Sequence, residues 1–237
     1  MNERHTWLVN TPPMTKTSRR TVVLISGRGS NMMSLVEAAS ENGFPAEITA
    51  VISNKPDAGG IAWAASRGIE THIIDHKGYA SRPAFEAELQ AILTGLGTEL
   101  VCLAGFMRVL TAEFVHDWPG RMINIHPSLL PAFKGLHTHE QALAAGVTIT
   151  GCTVHFVVPE MDAGPIIAQA AVPVHGGDTP DSLAARILVA EHSLYPIALR
   201  LVSDGTIQMA DGRAVRRGPA PINHASVLYS PPLTGTG

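Results

Sequence analysis

Three polar residues have the types needed for acyl and proton transfer. Asn124 and His126 lie in the stretch INIHPSLLPAFKG (residues 123–135), and Asp162 lies in PEMDAGP. Asn124 and His126 are two apart at the end of an apolar run, so on an extended segment their side chains point to one side. Pro127 follows directly and restricts His126 to extended conformations, which keeps the histidine out of a helix. An amide and an imidazole presented together can stabilise a developing oxyanion and move a proton. A carboxylate beside that imidazole would favour its charged form. Spacing alone does not bring Asp162 to His126, because Asp-x-Gly is also ordinary turn chemistry.

A second candidate is SGRGSN (residues 26–31), which joins an apolar strand to a helix. Its glycines let the backbone approach an anion, and Ser30 and Asn31 suit the helix N-cap, where free N–H groups and the dipole favour phosphate. A dinucleotide fingerprint needs a third glycine, but Met32 stands three places after Gly29. The next strand ends in SNKPD instead of a ribose-binding acid, and no Walker sequence occurs. The turn therefore suits a single phosphate monoester better than NAD or ATP, with a plain tight turn as the alternative. Eleven histidines invite a metal reading, with HTH (residues 137–139), His126 and Asp162 as its members. Neither His137 nor His139 has a ligand partner four residues on, and there is no C-x-x-C, so no metal is expected.

These groups need a frame. TVVLIS (21–26), AEITAVIS (46–53), IETHIID (69–75), TELVCLAGF (98–106) and RMINI (121–125) read as strands, and helical patterns separate most of them. Such alternation predicts an α/β fold with a mostly parallel twisted sheet and helices on both faces. After residue 137 the pattern changes. THEQALAAG reads as a helix with Thr138 and Gln141 placed for a capping box. VTITGCTVHFVV and GPIIAQAAVPV read as antiparallel strands in the C-terminal part. A long helix then starts at Thr179 (N-cap) and Pro180, and Pro196 should kink or split it. The expected organisation is an N-terminal extension (1–20), one domain (21–211) and a C-terminal tail (212–237).

Composition narrows the classes. With 45% hydrophobic and 16% charged residues in a 237-residue chain, a sizeable core forms and wholesale disorder is excluded. A net charge of -3 offers no basic stripe for nucleic acid. No apolar run approaches the ~18 residues of a membrane span. Cys102 and Cys152, both in apolar runs, fit buried free thiols in a reducing, cytoplasmic setting.

SGRGSN, LAGFMRVL, INIHPSLLPAFKGLHTHEQAL, GCTVHFVVPEMDAGPII and AEHSLYP together resemble the phosphoribosylglycinamide formyltransferases, folate-dependent enzymes of purine synthesis. The resemblance runs from about residue 21 to about residue 211. It implies a Rossmann-like formyltransferase fold, with Asn124, His126 and Asp162 as the catalytic group. It further implies that Gly29, Ser30 and Asn31 hold the phosphate of glycinamide ribonucleotide. Leu188, Val189, Ala190 and Glu191 would contact the rest of that substrate, with Glu191 on the ribose. Arg82, Met107, Arg108, Val109 and Leu110, with Asn124 and the loop Val158, Pro159, Glu160, Met161 and Asp162, would border 10-formyltetrahydrofolate. No metal is implied, and a homodimer is the family habit. Without the resemblance, Met107, Val109 and Leu110 read as core, Glu191 as a solvated helix face and Arg82 as a surface charge. The chain departs from the family pattern at Ala163, where glycine is frequent, and at Arg28 within the phosphate turn.

Rival readings within the superfamily differ in what surrounds the domain. A methionyl-tRNA formyltransferase is expected to add a C-terminal domain and a basic face. A formyltetrahydrofolate hydrolase is expected to carry a regulatory domain in front. A sugar-nucleotide formyltransferase would lack the G-S-N turn, and a binding-only domain would not need the three polar residues.

Overall fold

The computed structural model describes residues 18–218; the outer parts of both expected terminal segments, 1–17 and 219–237, lie outside the described residues. Valine, isoleucine and leucine fill the central strands because helices cover both faces of the sheet. Its strands are β1 (Arg19–Ile25), β2 (Ala46–Ser53), β3 (Glu70–Ile73), β4 (Leu100–Leu103), β5 (Met122–His126), β6 (Ile149–Phe156) and β7 (Ile166–Pro173). The spatial order is β3-β2-β1-β4-β5-β6-β7. The first five strands pair in parallel, while β6 runs antiparallel to both β5 and β7. The mostly parallel sheet with an antiparallel C-terminal part agrees with the expectation from sequence.

Alternation along β1 sends Val23 and Ile25 into one core and Val22 and Leu24 into the other. On the first side pack α1 (Ser30–Ala39), α2 (Gly59–Ser66), α5 (Thr138–Ala144) and α6 (Pro180–Ser203). On the second side pack α3 (Arg82–Gly95) and α4 (Ala112–His116), through Phe85, Leu89, Leu93, Phe114 and Val115.

Several local expectations change in the folded chain. β1 begins at Arg19, within the segment read as an extension, because its backbone and the Arg20 side chain find partners outside the core. The Arg20 N–H donates to the Glu99 carboxylate (2.9 Å), and Arg20 Nε donates to the Leu96 carbonyl (2.9 Å). A hairpin absent from the sequence reading, β8 (Ile207–Ala210) with β9 (Arg213–Arg216), extends beyond residue 211. The N-cap of α5 is His137 in the left-handed region (φ 58°), without a side-chain cap. Thr138 is therefore the first helical residue and forms no capping box, while the Gln141 amide donates back to the Leu136 carbonyl (2.7 Å).

Pro196 does not split α6, which is assigned as one helix from Pro180 to Ser203. An interior proline costs about 3 kcal/mol. Leu194, Tyr195, Ala198, Leu199 and Val202 are all buried on this helix, and at about 1.5–3 kcal/mol for each large side chain their burial outweighs that cost. The start of α6 matches the sequence reading, with Thr179 as N-cap, Pro180 in the first turn and Ser182 completing a reciprocal capping box.

Tyr195 is fully buried, and its hydroxyl lies 3.0 Å from the Leu103 carbonyl and 3.1 Å from the Ile123 carbonyl, sharing one proton between them. It thereby ties α6 to adjacent strands β4 and β5. Tyr195→Phe should lower unfolding free energy by about 1–2 kcal/mol, measured by urea denaturation. An unchanged midpoint and slope would show that the hydroxyl contributes nothing.

Burial also pushes the ring pKa values of His139, His155 and His192 below the ordinary histidine value. Below about pH 6.5 the unfolded chain binds more protons at these rings than the folded chain, so their effect is loss of stability as pH falls. Burial raises Glu191 instead. Its contribution has the opposite sign, stability being lost as pH rises above a carboxylate's ordinary value of about 4.3. With three rings against one acid, the melting temperature should fall between about pH 7.5 and pH 5.5. A rising curve would mean that Glu191 outweighs the rings.

Candidate active site

The strand order reverses between β1 and β4, which places the turn after β1 beside the loop after β4 at the C-terminal edge of the parallel strands. Open α/β sheets bind ligands at such a switch point. Two contacts close the junction: the Ala104 N–H donates to the Leu24 carbonyl (2.9 Å), and the Met107 N–H donates to Ser26 Oγ (2.8 Å). Leu103 of β4 pairs with Asn124 of β5, so the loop leaving β4 runs beside the strand segment carrying Asn124 and His126.

β6 delivers a residue that the sequence reading missed. His155 stands opposite Asn124 in the antiparallel pair, and its ring Nε2 lies 3.2 Å from Asn124 Nδ2. His155 Nδ1 faces the Phe156 carbonyl at 2.8 Å, so that nitrogen must carry the proton. Burial keeps this ring neutral, which leaves Nε2 as an acceptor. The Asn124 amide therefore turns its NH₂ toward His155, with one N–H donated there and the second still free to donate. No spacing signal reveals this partnership; it exists only once β5 and β6 are in register.

His126 is buried at the end of β5. Its Nε2 donates to the Phe133 carbonyl (2.9 Å), and its Nδ1 faces Asp162 Oδ2 at 3.5 Å. Both ring nitrogens thus point at oxygen acceptors, an arrangement that a doubly protonated ring satisfies completely. The Asp162 side chain is only 11% exposed, and its Oδ2 also accepts the Gly135 N–H (2.8 Å). Its other oxygen, Oδ1, lies 3.9 Å from His155 Nε2. Asn124, His126, His155 and Asp162 therefore form one polar cluster.

The loop between β6 and β7 sets the position of Asp162. Its backbone takes a left-handed conformation (φ 50°), sparsely populated for any residue with a Cβ but more accessible to aspartate than to bulky residues. Two residues on, Gly164 passes so close to β6 that an added Cβ would stand 1.8 Å from the Phe156 carbonyl oxygen. A side chain there would push the returning chain, and Asp162 with it, away from the sheet.

In the turn after β1, Gly29 rather than Ser30 or Asn31 is the N-cap of α1. It is left-handed (φ 75°) and has no side-chain cap, while Ser30 is the first helical residue. The reason is steric: glycine enters this conformation without a Cβ penalty. Ser30 and Asn31 consequently contribute first-turn N–H groups, which lack intrahelical acceptors. The Asn31 amide donates to Glu191 Oε2 on α6 (2.7 Å), leaving Asn31 Oδ1 buried and without a partner among the described residues. Glu191 is buried, not a solvated helix face, so the turn and a carboxylate 160 residues away share one corner.

The remaining expected residues separate by exposure. Met107 (68%), Val109 (54%) and Met161 (60%) expose apolar side chains, whereas Leu110 is buried in the core beside Phe85. The Arg108 guanidinium lies over the Phe85 ring at 4.9 Å. Val158 and Pro159 are partly buried, Glu160 is exposed, and Arg82 is exposed in the first turn of α3. On α6, Leu188 and Ala190 are half-buried while Val189 is largely exposed, so these three do not share one face. Among the described residues no group of three or more His, Cys, Asp or Glu is placed to hold a metal ion, and no helix is long and apolar enough to cross a membrane.

The formyl transferase family model matches residues 19–199. The chain is 45% identical over 193 residues to phosphoribosylglycinamide formyltransferase of Escherichia coli (strain K12), covering 81% of this chain and 91% of that protein. It is also 50% identical over 196 residues to the trifunctional purine biosynthetic protein adenosine-3 of Homo sapiens, covering 83% of this chain but only 19% of that much longer protein. The crystal structure of glycinamide ribonucleotide transformylase 1 from Symbiobacterium toebii aligns with a TM-score of 0.81 at 45% identity, covering 84% of this chain and 94% of that one. With the matched segment containing Asn124, His126, Asp162 and the glycine turn, the chain belongs to the formyl transferase family.

Proposed function

We propose that this protein transfers the formyl group of 10-formyltetrahydrofolate to the primary amine of glycinamide ribonucleotide, as a cytoplasmic enzyme of purine synthesis acting on small molecules. The observation that carries this reading is the convergence of the Asn124 amide, the His126 imidazole and the Asp162 carboxylate at the switch point that also holds the glycine turn. The names of the E. coli and S. toebii relatives point to the same acceptor.

In this reading the first-turn N–H groups of α1, joined by the Ser30 hydroxyl and the second N–H of the Asn31 amide, bind the acceptor phosphate, as helix N-termini bind anions generally. Glu191, across from Asn31, meets the ribose hydroxyls. The exposed apolar side chains Met107, Val109 and Met161 suit the flat ring system of the folate donor, which buries poorly against charged surface. A homodimer fits the family and is part of the same proposal.

Chemistry follows from the cluster. Attack of the amine on the formyl carbon forms the new C–N bond and puts negative charge on the formyl oxygen. The free N–H of Asn124 and the protonated His126 ring stabilise that oxygen. Since His126 Nε2 is committed to the Phe133 carbonyl, the Nδ1 edge is the one available to the reaction. When the bond between the carbon and folate N10 breaks, N10 gains a proton and the attacking amine loses one. Asp162, beside Nδ1, keeps the ring charged between these transfers and helps carry the proton away, directly or through water.

Formylated product should appear only with both 10-formyltetrahydrofolate and glycinamide ribonucleotide present. Asp162→Asn keeps the size but removes the charge, and should lower kcat by roughly 10²–10⁴-fold while both ligands still bind. Equal deformylation with water alone would replace this reading with a hydrolase. A fully active Asp162→Asn enzyme would remove the aspartate from the mechanism.

The phosphate assignment has its own test. Ser30→Ala combined with Asn31→Ala should raise the KM for glycinamide ribonucleotide by roughly tenfold or more, because charge-assisted hydrogen bonds are worth about 1.5–3 kcal/mol. The KM for 10-formyltetrahydrofolate should stay nearly constant. An unchanged acceptor KM would mean that the phosphate sits elsewhere.

A further inference from the structure

The loop from Gly105 to Leu110 must present Met107 and Val109 outward while burying Leu110. Among the described residues, positions 105–110 make no backbone-to-backbone hydrogen bond. Nothing resembling a sheet ladder or a helix therefore holds the loop's register. At its start, Ser26 Oγ accepts the Met107 N–H and donates to Asn54 Oδ1 (2.6 Å). At its end stands Glu86.

Glu86 lies on α3 and is only 4% exposed, in a helix face otherwise given to Phe85, Leu89 and Leu93. One carboxylate oxygen accepts the Thr111 N–H (2.8 Å), and the other accepts the Thr111 hydroxyl. That hydroxyl also accepts the Phe114 N–H (3.3 Å), so Glu86 orients the N-cap of α4 as well. Both oxygens are thus spent on a single residue immediately after the loop. A buried acid is a poor device for stability alone, since an apolar side chain of similar volume packs there at lower cost. What the carboxylate adds is direction, because it fixes where the loop ends and which way residue 111 faces.

We infer that Glu86 is a positioning residue for the donor site. By clamping Thr111 it holds the alternation of the loop, with Met107 and Val109 toward the ligand and Arg108 and Leu110 toward α3. A slip of one residue would exchange these faces. The neighbouring stack of Arg108 on Phe85 works from the same helix turn. Ser26 alone cannot supply this register, because it holds only the first half of the loop. The inference rests on the proposed reading of this cleft as a folate site.

The experiment compares Glu86→Ala, Glu86→Gln, Thr111→Val and Leu93→Ala by steady-state kinetics with both substrates, by calorimetric titration with tetrahydrofolate, and by thermal melting. Glu86→Ala should raise the KM for 10-formyltetrahydrofolate by roughly tenfold and leave the KM for glycinamide ribonucleotide within about twofold. Glu86→Gln should recover most of the loss, because its carbonyl accepts the Thr111 N–H and its NH₂ meets the Thr111 oxygen. Thr111→Val removes only the hydroxyl arm and should give a smaller rise in donor KM, which keeps the test available if Glu86→Ala does not fold. Leu93→Ala, buried on the same helix away from the loop, should lower the melting temperature without moving the donor KM.

If Glu86→Ala or Thr111→Val leaves donor KM unchanged, or if donor KM tracks melting temperature across all variants, Glu86 only stabilises the fold and the inference is overturned. A wild-type protein that neither binds tetrahydrofolate nor transfers formyl would overturn the functional reading itself, and this inference with it. Wild-type binding with unaltered binding in Glu86→Ala would overturn the inference alone.

Discussion

The carboxylate of Asp162 sits 11% exposed beside a buried histidine, and the local structure is organised around keeping that charge paired. Desolvating an ionised group costs several kcal/mol unless donors surround it. The Gly135 N–H supplies one donor, and the His126 ring nitrogen stands 3.5 Å from the same oxygen. His126 is in turn held at its far nitrogen by the Phe133 carbonyl, so the segment after β5 must fold back over its own strand. The loop after β6 must also return close enough to need glycine at position 164. Remove the pairing requirement, and neither loop has a reason for its path.

The two buried histidines differ in what their ring nitrogens face. His126 faces oxygen at both nitrogens, whereas His155 faces a carbonyl at one and the Asn124 amide at the other. Burial holds the His155 ring below the ordinary histidine value. The neutral ring then acts on Asn124, since an acceptor nitrogen at 3.2 Å determines which end of the amide turns toward it. The Asn124 amide is thus oriented by a buried ring from the neighbouring strand.

Around this cluster, side chains from distant elements fasten the loops that secondary structure leaves free. Ser26 joins the glycine turn to the loop after β4, Glu86 fastens the other end of that loop to α3, and Asn31 links α1 to Glu191 on α6. Each bond satisfies a buried polar group and also fixes the distance between the two elements it joins. The glycine turn, the loop after β4 and α6 are in this way tied into hydrogen-bonded neighbours.

Much of this was legible in the residues themselves. Period-two and near-continuous apolar runs determined the strands and the mostly parallel sheet, because burial on both faces demands them. The proline after His126 determined that the histidine ends a strand, and glycine chemistry marked the turn after β1. Local rules failed where a tertiary contact outweighed a propensity. Pro196 stays inside α6 because its neighbours are buried, and Arg19 and Arg20 enter β1 because their backbone pairs with β2 and Glu99 while Leu96 accepts from the Arg20 side chain. His155 and Glu86 went unnoticed because nothing near them in the chain signals a role. Only the tertiary structure decided that His155 faces Asn124, that Glu191 is buried against Asn31, and that Asp162 reaches His126. The physical reason is common to all three: the partners are separated by 31, 160 and 36 residues, and strand register and helix packing, not local sequence, set the distance between them.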